Sequence, residues 1–100
     1  MVKLIGTDGQ KVYAFELKPG TYVVGRKPEC DLTVPDRTVS RNHARIEWSL
    51  DEFSVRDMNS SNGTFVNGRR IEHLPRALKD GDLITLERIP IQFEVIKAAL

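Results

Sequence analysis

Three residues suited to chemistry lie together at the start of one predicted strand: Ser40, Arg41 and His43. A serine hydroxyl donates one hydrogen bond and a guanidinium donates two in a fork, which suits a phosphate or a carboxylate. The stretch "HARIEW" then alternates apolar and polar residues, which predicts a half-buried strand with His43 on its polar face. Because a neutral imidazole both donates and accepts, we interpret His43 as a structural residue that ties neighbouring loop backbone together.

Two further polar groups also stand at the ends of predicted strands. Gly25-Arg26 follows "TYVV", where glycine permits a close backbone approach or a positive φ. The segment "DMNSSNGT" contains Asn62-Gly63, a dipeptide that favours a tight reversal. The polar side chains of the segment can hydrogen-bond the loop backbone. Each loop also has a simple structural interpretation, a solvated arginine for the first and a plain turn for the second.

An enzyme is a competing interpretation of the same residues. A hydrolase would need Ser40 as nucleophile, His43 as base and Asp57 as the acid that orients the base. The G-x-S-x-G signature is absent, and residues three apart on an extended chain point to opposite faces. The sequence also lacks a P-loop, a dinucleotide fingerprint and a zinc motif. We therefore expect no catalytic residue, no metal and no cofactor.

The elements that must position these loops are predicted to be short strands. The β-favouring stretches are "KVYAFEL", "TYVVG", "DLTV", "HARIEW", "FSVRD", "TFV", "DLITLE" and "IQFEVI". The turn dipeptides between them are Asp8-Gly9, Pro19-Gly20, Pro35-Asp36, Asn62-Gly63, Asn67-Gly68 and Asp80-Gly81. No window has a helical period, although "LPRAL" can form one helical turn and "KAAL" a frayed helical end. The pattern predicts one all-β domain over residues 1–100, a sandwich or barrel with functional loops at one end.

Composition limits the kinds of partner. Hydrophobic residues at 40% and charged residues at 29% are ordinary for a globular protein. The sequence has no apolar run long enough to span a bilayer and no signal-peptide pattern, so we expect a cytoplasmic location, with a nuclear one open. Cys30 is the single cysteine, which excludes an internal disulfide. Fifteen basic and 14 acidic residues give no bulk attraction to nucleic acid or membrane, so any anion site must be local.

The three motifs, in this order and spacing, resemble the forkhead-associated (FHA) domain. They are Gly25-Arg26, Ser40-Arg41-Asn42-His43 and Ser60-Ser61-Asn62-Gly63-Thr64. The similarity runs from about residue 22 to residue 95, through "CDLTVPDRTVSRNHARI", "VRDMNSSNGTFVNGRRI" and "LKDGDLITL". It implies an eleven-stranded β-sandwich of two sheets (FHA/SMAD-like) whose loops at one end bind phosphothreonine in partner proteins. Such a domain is a signalling adaptor that recognises phosphorylated segments reversibly and performs no catalysis.

The resemblance also implies roles for individual residues. The residues implied to contact phosphate are Arg26, Ser40, Arg41 and Ser61. Asn62 would hold the main chain of the partner just beyond the phosphothreonine. The residues implied to support the loops are Gly25, His43 and Gly63. The candidates for selecting residues after the phosphothreonine are Arg37, Thr38 and Asn59, of which Arg37 would favour an acidic residue.

One position departs from the family pattern. After "DGDLITL" the family commonly has a glycine, where this chain has Glu87. We expect this region to form a late strand or hairpin distant from the phosphate-binding loops.

Two non-catalytic alternatives remain open from the sequence. One is an oligomerisation or scaffold module that uses a sheet face, although the intact motif set argues against this as the sole role. We expect a monomer, with weak self-association possible. The other is a nucleic-acid binder, which normally shows clustered charge and aromatic platforms, whereas the seven aromatic residues here are spread along the chain.

Overall fold

Two β-sheets make up the structure. The computed structural model describes residues 2–7 and 9–95, and within them eleven strands are present. The strands are β1 Val2–Thr7, β2 Val12–Leu17, β3 Gly20–Gly25, β4 Leu32–Thr33, β5 Ala44–Ser49, β6 Glu52–Asp57, β7 Thr64–Val66, β8 Arg69–Ile71, β9 Arg76–Ala77, β10 Leu83–Leu86 and β11 Ile89–Val95. One sheet has the order β2-β1-β11-β10-β7-β8 and the other the order β4-β3-β5-β6-β9. The all-β sandwich and its eleven strands are confirmed.

Alternating side chains build the core between the two sheets. In β11 the residues Ile89, Ile91 and Phe93 are all buried, as the alternation in the sequence predicts. The Phe93 ring centroid lies 5.1 Å from that of Phe53, which belongs to the facing sheet. The fully buried apolar side chains with 2% exposure or less are Val2, Leu4, Val24, Val34, Val39, Ala44, Ile46, Val55, Val66, Ile84, Leu86, Ile89, Ile91 and Phe93. Both sheets contribute to this list, so the framework beneath the loops is rigid.

The two Asn-Gly pairs have different structural roles. Asn67 and Gly68 have φ values of +51° and +84° and join β7 to β8 as a tight hairpin, at the position of a predicted turn dipeptide. Asn62-Gly63 instead lies between β6 of the five-stranded sheet and β7 of the six-stranded sheet. The first Asn-Gly pair therefore belongs to a crossing between sheets.

The predicted helical turn at "LPRAL" is wrong. This segment contains the short strand β9, in which Ala77 pairs with Ser54 of β6, and it begins beside Pro75, a residue that lacks an N–H to donate. Across residues 2–7 and 9–95, no helix has the length and apolar character needed to cross a membrane. Asp8 of the first predicted turn lies outside these ranges, and so does the whole of the predicted "KAAL" helical end at residues 97–100.

Candidate functional site

Three loops meet at one end of the sandwich. They follow β3, β4 and β6 and cover residues 26–31, 34–43 and 58–63. The residues that line the shallow depression between them are Arg26, Ser40, Arg41, Asn42, Met58, Asn59 and Ser61. All four residues implied to contact phosphate are therefore brought to one place, although 35 positions separate the first of them from the last.

Arg26 is held by the loop that carries Ser40. Its backbone N–H donates to the Ser40 carbonyl oxygen at 3.0 Å, and its Nε donates to the Val39 carbonyl oxygen at 3.1 Å. In the part of the chain that the structure describes, its two Nη nitrogens have no protein hydrogen-bond partner. An exposed guanidinium oriented through Nε leaves its terminal donors available to an external anion.

Gly25 is required because another loop packs directly against it. A Cβ added at this position would lie 2.0 Å from the Arg41 carbonyl oxygen and 2.8 Å from the Cys30 Sγ. The Cys30 thiol donates to the same Arg41 oxygen at 3.0 Å. Burial raises the pKa of Cys30, which keeps this donor proton in place at neutral pH. The glycine thus permits the close approach that places Arg26 and Arg41 beside each other.

Ser40 joins two of the loops through its hydroxyl. The Ser61 backbone N–H donates to Ser40 Oγ at 2.9 Å. Because the Oγ accepts this bond, its own hydrogen is left to donate to another acceptor. The hydroxyl therefore points a donor into the depression where an acceptor such as a phosphate oxygen would complete it.

His43 is buried, although the alternation in the sequence puts it on the polar face of its strand. Its side chain is 0% exposed. The Ser40 N–H donates to Nδ1 at 3.0 Å, so Nε2 carries the proton and donates to the Gly63 carbonyl oxygen at 2.8 Å. Its backbone N–H donates to Val24 at 2.8 Å and its carbonyl accepts from Met58 at 2.9 Å. Burial lowers the pKa of His43, which favours this neutral imidazole.

Asp57 fixes the third loop. Its carboxylate accepts from the Ser60 N–H at 3.0 Å, the Ser60 hydroxyl at 2.6 Å and the Thr64 hydroxyl at 2.7 Å. Burial opposes ionisation here, but the hydrogen bonds from Ser60 and Thr64 outweigh it and lower the pKa of Asp57. Gly63 N–H in turn donates to the Ser60 hydroxyl at 2.9 Å. The loop is held in one shape by a charged acceptor at its base.

These contacts do not form a catalytic triad. The Ser40 hydroxyl faces the Ser61 amide, and the imidazole of His43 is occupied by the backbone of Ser40 and Gly63. The oxygens of Asp57 bond to Ser60 and Thr64.

Asn62 reaches across to the loop before Ser40. Its Nδ2 donates to the Thr38 carbonyl oxygen at 2.8 Å. Asp36 shapes this loop, since its Oδ1 accepts the Thr38 N–H at 2.9 Å and the Thr38 hydroxyl at 2.5 Å. Arg88 Nη2 lies 2.9 Å from the other oxygen of Asp36. Hydrogen bonds from Thr38, and then from Arg88, lower the pKa of Asp36 to about 2.

Sequence reasoning missed this support by Asp36 and Arg88. An Asp two residues before a Thr is a local turn signal that identifies Asp36. Arg88 had no such signal because it lies 52 positions away. Of the three candidates for selecting neighbouring residues, Arg37 and Asn59 are exposed, while the Thr38 hydroxyl is already bonded to Asp36.

The region around Glu87 touches the loops, so the expectation that it lies far from them is wrong. Its N–H donates to the Gly63 carbonyl oxygen at 3.2 Å. The cause is sheet order, because β10 pairs with β7 and places Leu86 opposite Thr64. Glu87 has a φ of +57°, a left-handed conformation that glycine adopts more readily, which explains the glycine common in the family.

Residues 22–87 of the chain match the FHA domain family. The chain belongs to the FHA domain family. FHA domains are phosphothreonine-binding modules, so the predictions of family, of a β-sandwich and of a binding module rather than an enzyme are confirmed.

Several known proteins are similar to this FHA domain. The ABC transporter ATP-binding/permease protein Rv1747 of Mycobacterium tuberculosis is 38% identical over 78% of the chain. The glycogen accumulation regulator GarA of Mycolicibacterium smegmatis is 35% identical over 79% of it. The chain spans 9% and 49% of the lengths of these two relatives. A solved structure from work on phosphothreonine-dependent FHA domain interactions is 33% identical, with a TM-score of 0.84 over 97% of this chain and 98% of that one.

Proposed function

We propose that this FHA domain binds phosphothreonine segments of partner proteins through Arg26, Ser40, Arg41 and Ser61. The observation that carries the proposal is the junction between Ser40 and Ser61. This hydrogen bond of 2.9 Å joins two loops and leaves a hydroxyl donor in the same depression as Arg26, whose Nη nitrogens have no protein partner among the residues that the structure describes. An anion with several acceptor oxygens satisfies all of these donors at once.

A phosphate fits this site in charge and in hydrogen bonding. It carries about −1.5 to −2 charges at neutral pH and offers three strong acceptor oxygens. Arg26 and Arg41 supply two positive charges at the rim of the same depression, and no aspartate or glutamate lines it. Each charge-assisted hydrogen bond contributes roughly 1.5–3 kcal/mol, so three or four of them support micromolar affinity, about 8 kcal/mol, after the costs of desolvation and ordering.

Asn62 is proposed to hold the main chain that follows the phosphothreonine. One of its amide hydrogens goes to the Thr38 carbonyl, which fixes the side chain. The second amide hydrogen and Oδ1 then match the donor and acceptor of an extended peptide backbone. We assign Gly25, His43 and Gly63 a supporting role, since their contacts link the loops rather than face the depression. We propose that the domain acts as a reversible signalling adaptor in the cytoplasm.

The test is fluorescence anisotropy with four matched peptides that carry phosphothreonine, phosphoserine, phosphotyrosine or unmodified threonine. Micromolar binding of the phosphothreonine peptide alone is expected. Arg26→Ala and Ser40→Ala should each weaken it by roughly 10- to 150-fold, the loss of one charge-assisted hydrogen bond or more. Arg76→Ala serves as control, because Arg76 is an exposed arginine on β9, away from the three loops. Folded Arg26→Ala and Ser40→Ala variants that bind like the parent would refute the proposal, and light scattering on the same samples tests the predicted monomer.

A further inference from the structure

Arg70 lies against the loop that contains Asn62. In the β7–β8 hairpin it stands directly opposite Phe65. A Cβ added at Gly63 would meet the Arg70 Nε at 3.2 Å, its Cζ at 3.3 Å and the Phe65 Cε1 at 3.3 Å. The guanidinium of Arg70 is therefore placed over Gly63, the residue that follows Asn62, and the side chain is exposed to solvent.

This cation has no partner within the described residues. The Arg70 side chain makes neither a hydrogen bond nor an ion pair there, whereas Arg45 and Arg56 share Glu47 and Arg88 binds Asp36. Glu87 also reaches Gly63, but it does so through its backbone N–H and forms no ion pair with Arg70. The guanidinium thus lies beside Gly63 and Phe65, and its hydrogen-bond donors have no protein acceptor within the described residues.

The position of Arg70 relative to the phosphate site suggests what it binds. Arg26, Ser40 and Ser61 line the depression, whereas Arg70 lies at Gly63, the residue that follows Asn62 in the chain. In the proposed function Asn62 holds the main chain that follows the phosphothreonine, so that part of the bound segment lies next to Gly63 and Arg70. We propose that Arg70 selects a carboxylate side chain in the bound segment, at a position C-terminal to the phosphothreonine.

A carboxylate matches this site better than a second phosphate does. One guanidinium offers one positive charge and a two-pronged donor edge, which pairs with the two oxygens of Asp or Glu. The three atoms nearest to a Cβ built at Gly63 belong to Arg70 and Phe65, so Arg70 supplies the single positive charge among them. Because the pair is exposed, the expected preference is modest, about two- to fivefold in Kd.

The inference rests on the proposed phosphothreonine binding, and a peptide scan tests the two separately. Asp, Asn and Lys are placed in turn at each of five positions after and five before the phosphothreonine in an alanine background. One C-terminal position should favour Asp over Asn by about two- to fivefold, and that preference should disappear in Arg70→Ala and turn toward Lys in Arg70→Glu. Arg69→Ala is the matched control, since Arg69 is exposed on the same strand but its side chain points to the opposite face.

The outcomes separate cleanly. Phosphothreonine peptides that bind without any Asp preference, or with one that survives Arg70→Ala, overturn the inference and leave the proposed function standing. Phosphoserine can also be placed at the selected position. If it raises the affinity more than Asp does, and this increase is lost in Arg70→Ala, the assignment of a carboxylate is overturned. Failure of the parent domain to bind any phosphopeptide overturns the proposed function and this inference with it.

Discussion

Acidification from pH 7 to pH 5 is expected to weaken the fold through one buried imidazole. His43 is 0% exposed, accepts from the Ser40 N–H at Nδ1 and donates to Gly63 from Nε2. A second proton on Nδ1 would place the N–H of His43 opposite the N–H of Ser40, with no acceptor between them, and would bury a positive charge. Burial accordingly lowers the pKa of His43 below its ordinary value of 6.5 in the folded state.

The sign and size of the effect follow from proton binding. Below pH 6.5 the unfolded chain takes up a proton at His43 and the folded chain does not. Acid therefore stabilises the unfolded state relative to the folded state. The contribution to stability is complete above pH 6.5 and falls below it by up to about 1.4 kcal/mol per pH unit, or at most about 2 kcal/mol by pH 5. Asp36 and Asp57 have lowered pKa values, so their contributions persist above about pH 4 and are lost only at lower pH.

Urea unfolding at pH 7, 6, 5.5 and 5 measures this change directly. The parent should lose about 1–2 kcal/mol of unfolding free energy across the range. His43→Gln should start less stable and show a flatter dependence, whereas His73→Gln, at an exposed histidine, should retain the slope of the parent. Stability is the right readout, because phosphate itself gains a proton near pH 6 and would confuse a binding assay. A parent domain equally stable at pH 7 and pH 5 would contradict the reasoning.

Two further predictions concern the supports of the loops. Gly25→Ala should lower stability by about 1–3 kcal/mol and also weaken phosphopeptide binding, because its Cβ collides with the Arg41 carbonyl. Gly6→Ala is the control, because its Cβ would lie 2.6 Å from the Pro90 carbonyl oxygen. It should lower stability without changing the affinity of the folded protein. If Gly25→Ala also left the affinity unchanged, the role assigned to Gly25 would be contradicted. Asp36→Ala should weaken binding by roughly three- to tenfold in anisotropy titrations. Arg88→Ala should cost less than about threefold, since its side chain is 61% exposed, and a larger loss there than in Asp36→Ala would contradict the assignment.

Features set by neighbouring residues were predictable from the sequence. The Asn67-Gly68 hairpin depends on two adjacent residues that tolerate positive φ, and both adopt it. The buried face of β11 depends on alternation over a few positions. The eight β-favouring stretches correspond to eight of the observed strands, because each contains β-branched or aromatic residues that favour extended backbone.

Features set by distant contacts were not predictable from local patterns. β8 and β9 contain only three and two residues and are rich in arginine, so no alternation marks them. The burial of His43 depends on the loops that close over it, whose hydrogen bonds replace water around the ring. The contact of Glu87 with Gly63 depends on the pairing of β10 with β7, which no stretch of either strand reveals alone.

The site itself shows why its motif is visible in the sequence while its supports are not. Four side-chain donors at this end of the sandwich each donate to a backbone carbonyl. The donor and acceptor pairs are Arg26 with Val39, Asn62 with Thr38, Cys30 with Arg41, and His43 with Gly63. A carbonyl is present whatever the residue, so the acceptors leave no mark in the sequence pattern, whereas each donor requires a particular side chain. Substitutions at Val39 that preserve the backbone should therefore be tolerated by the site, even though the Val39 carbonyl orients Arg26.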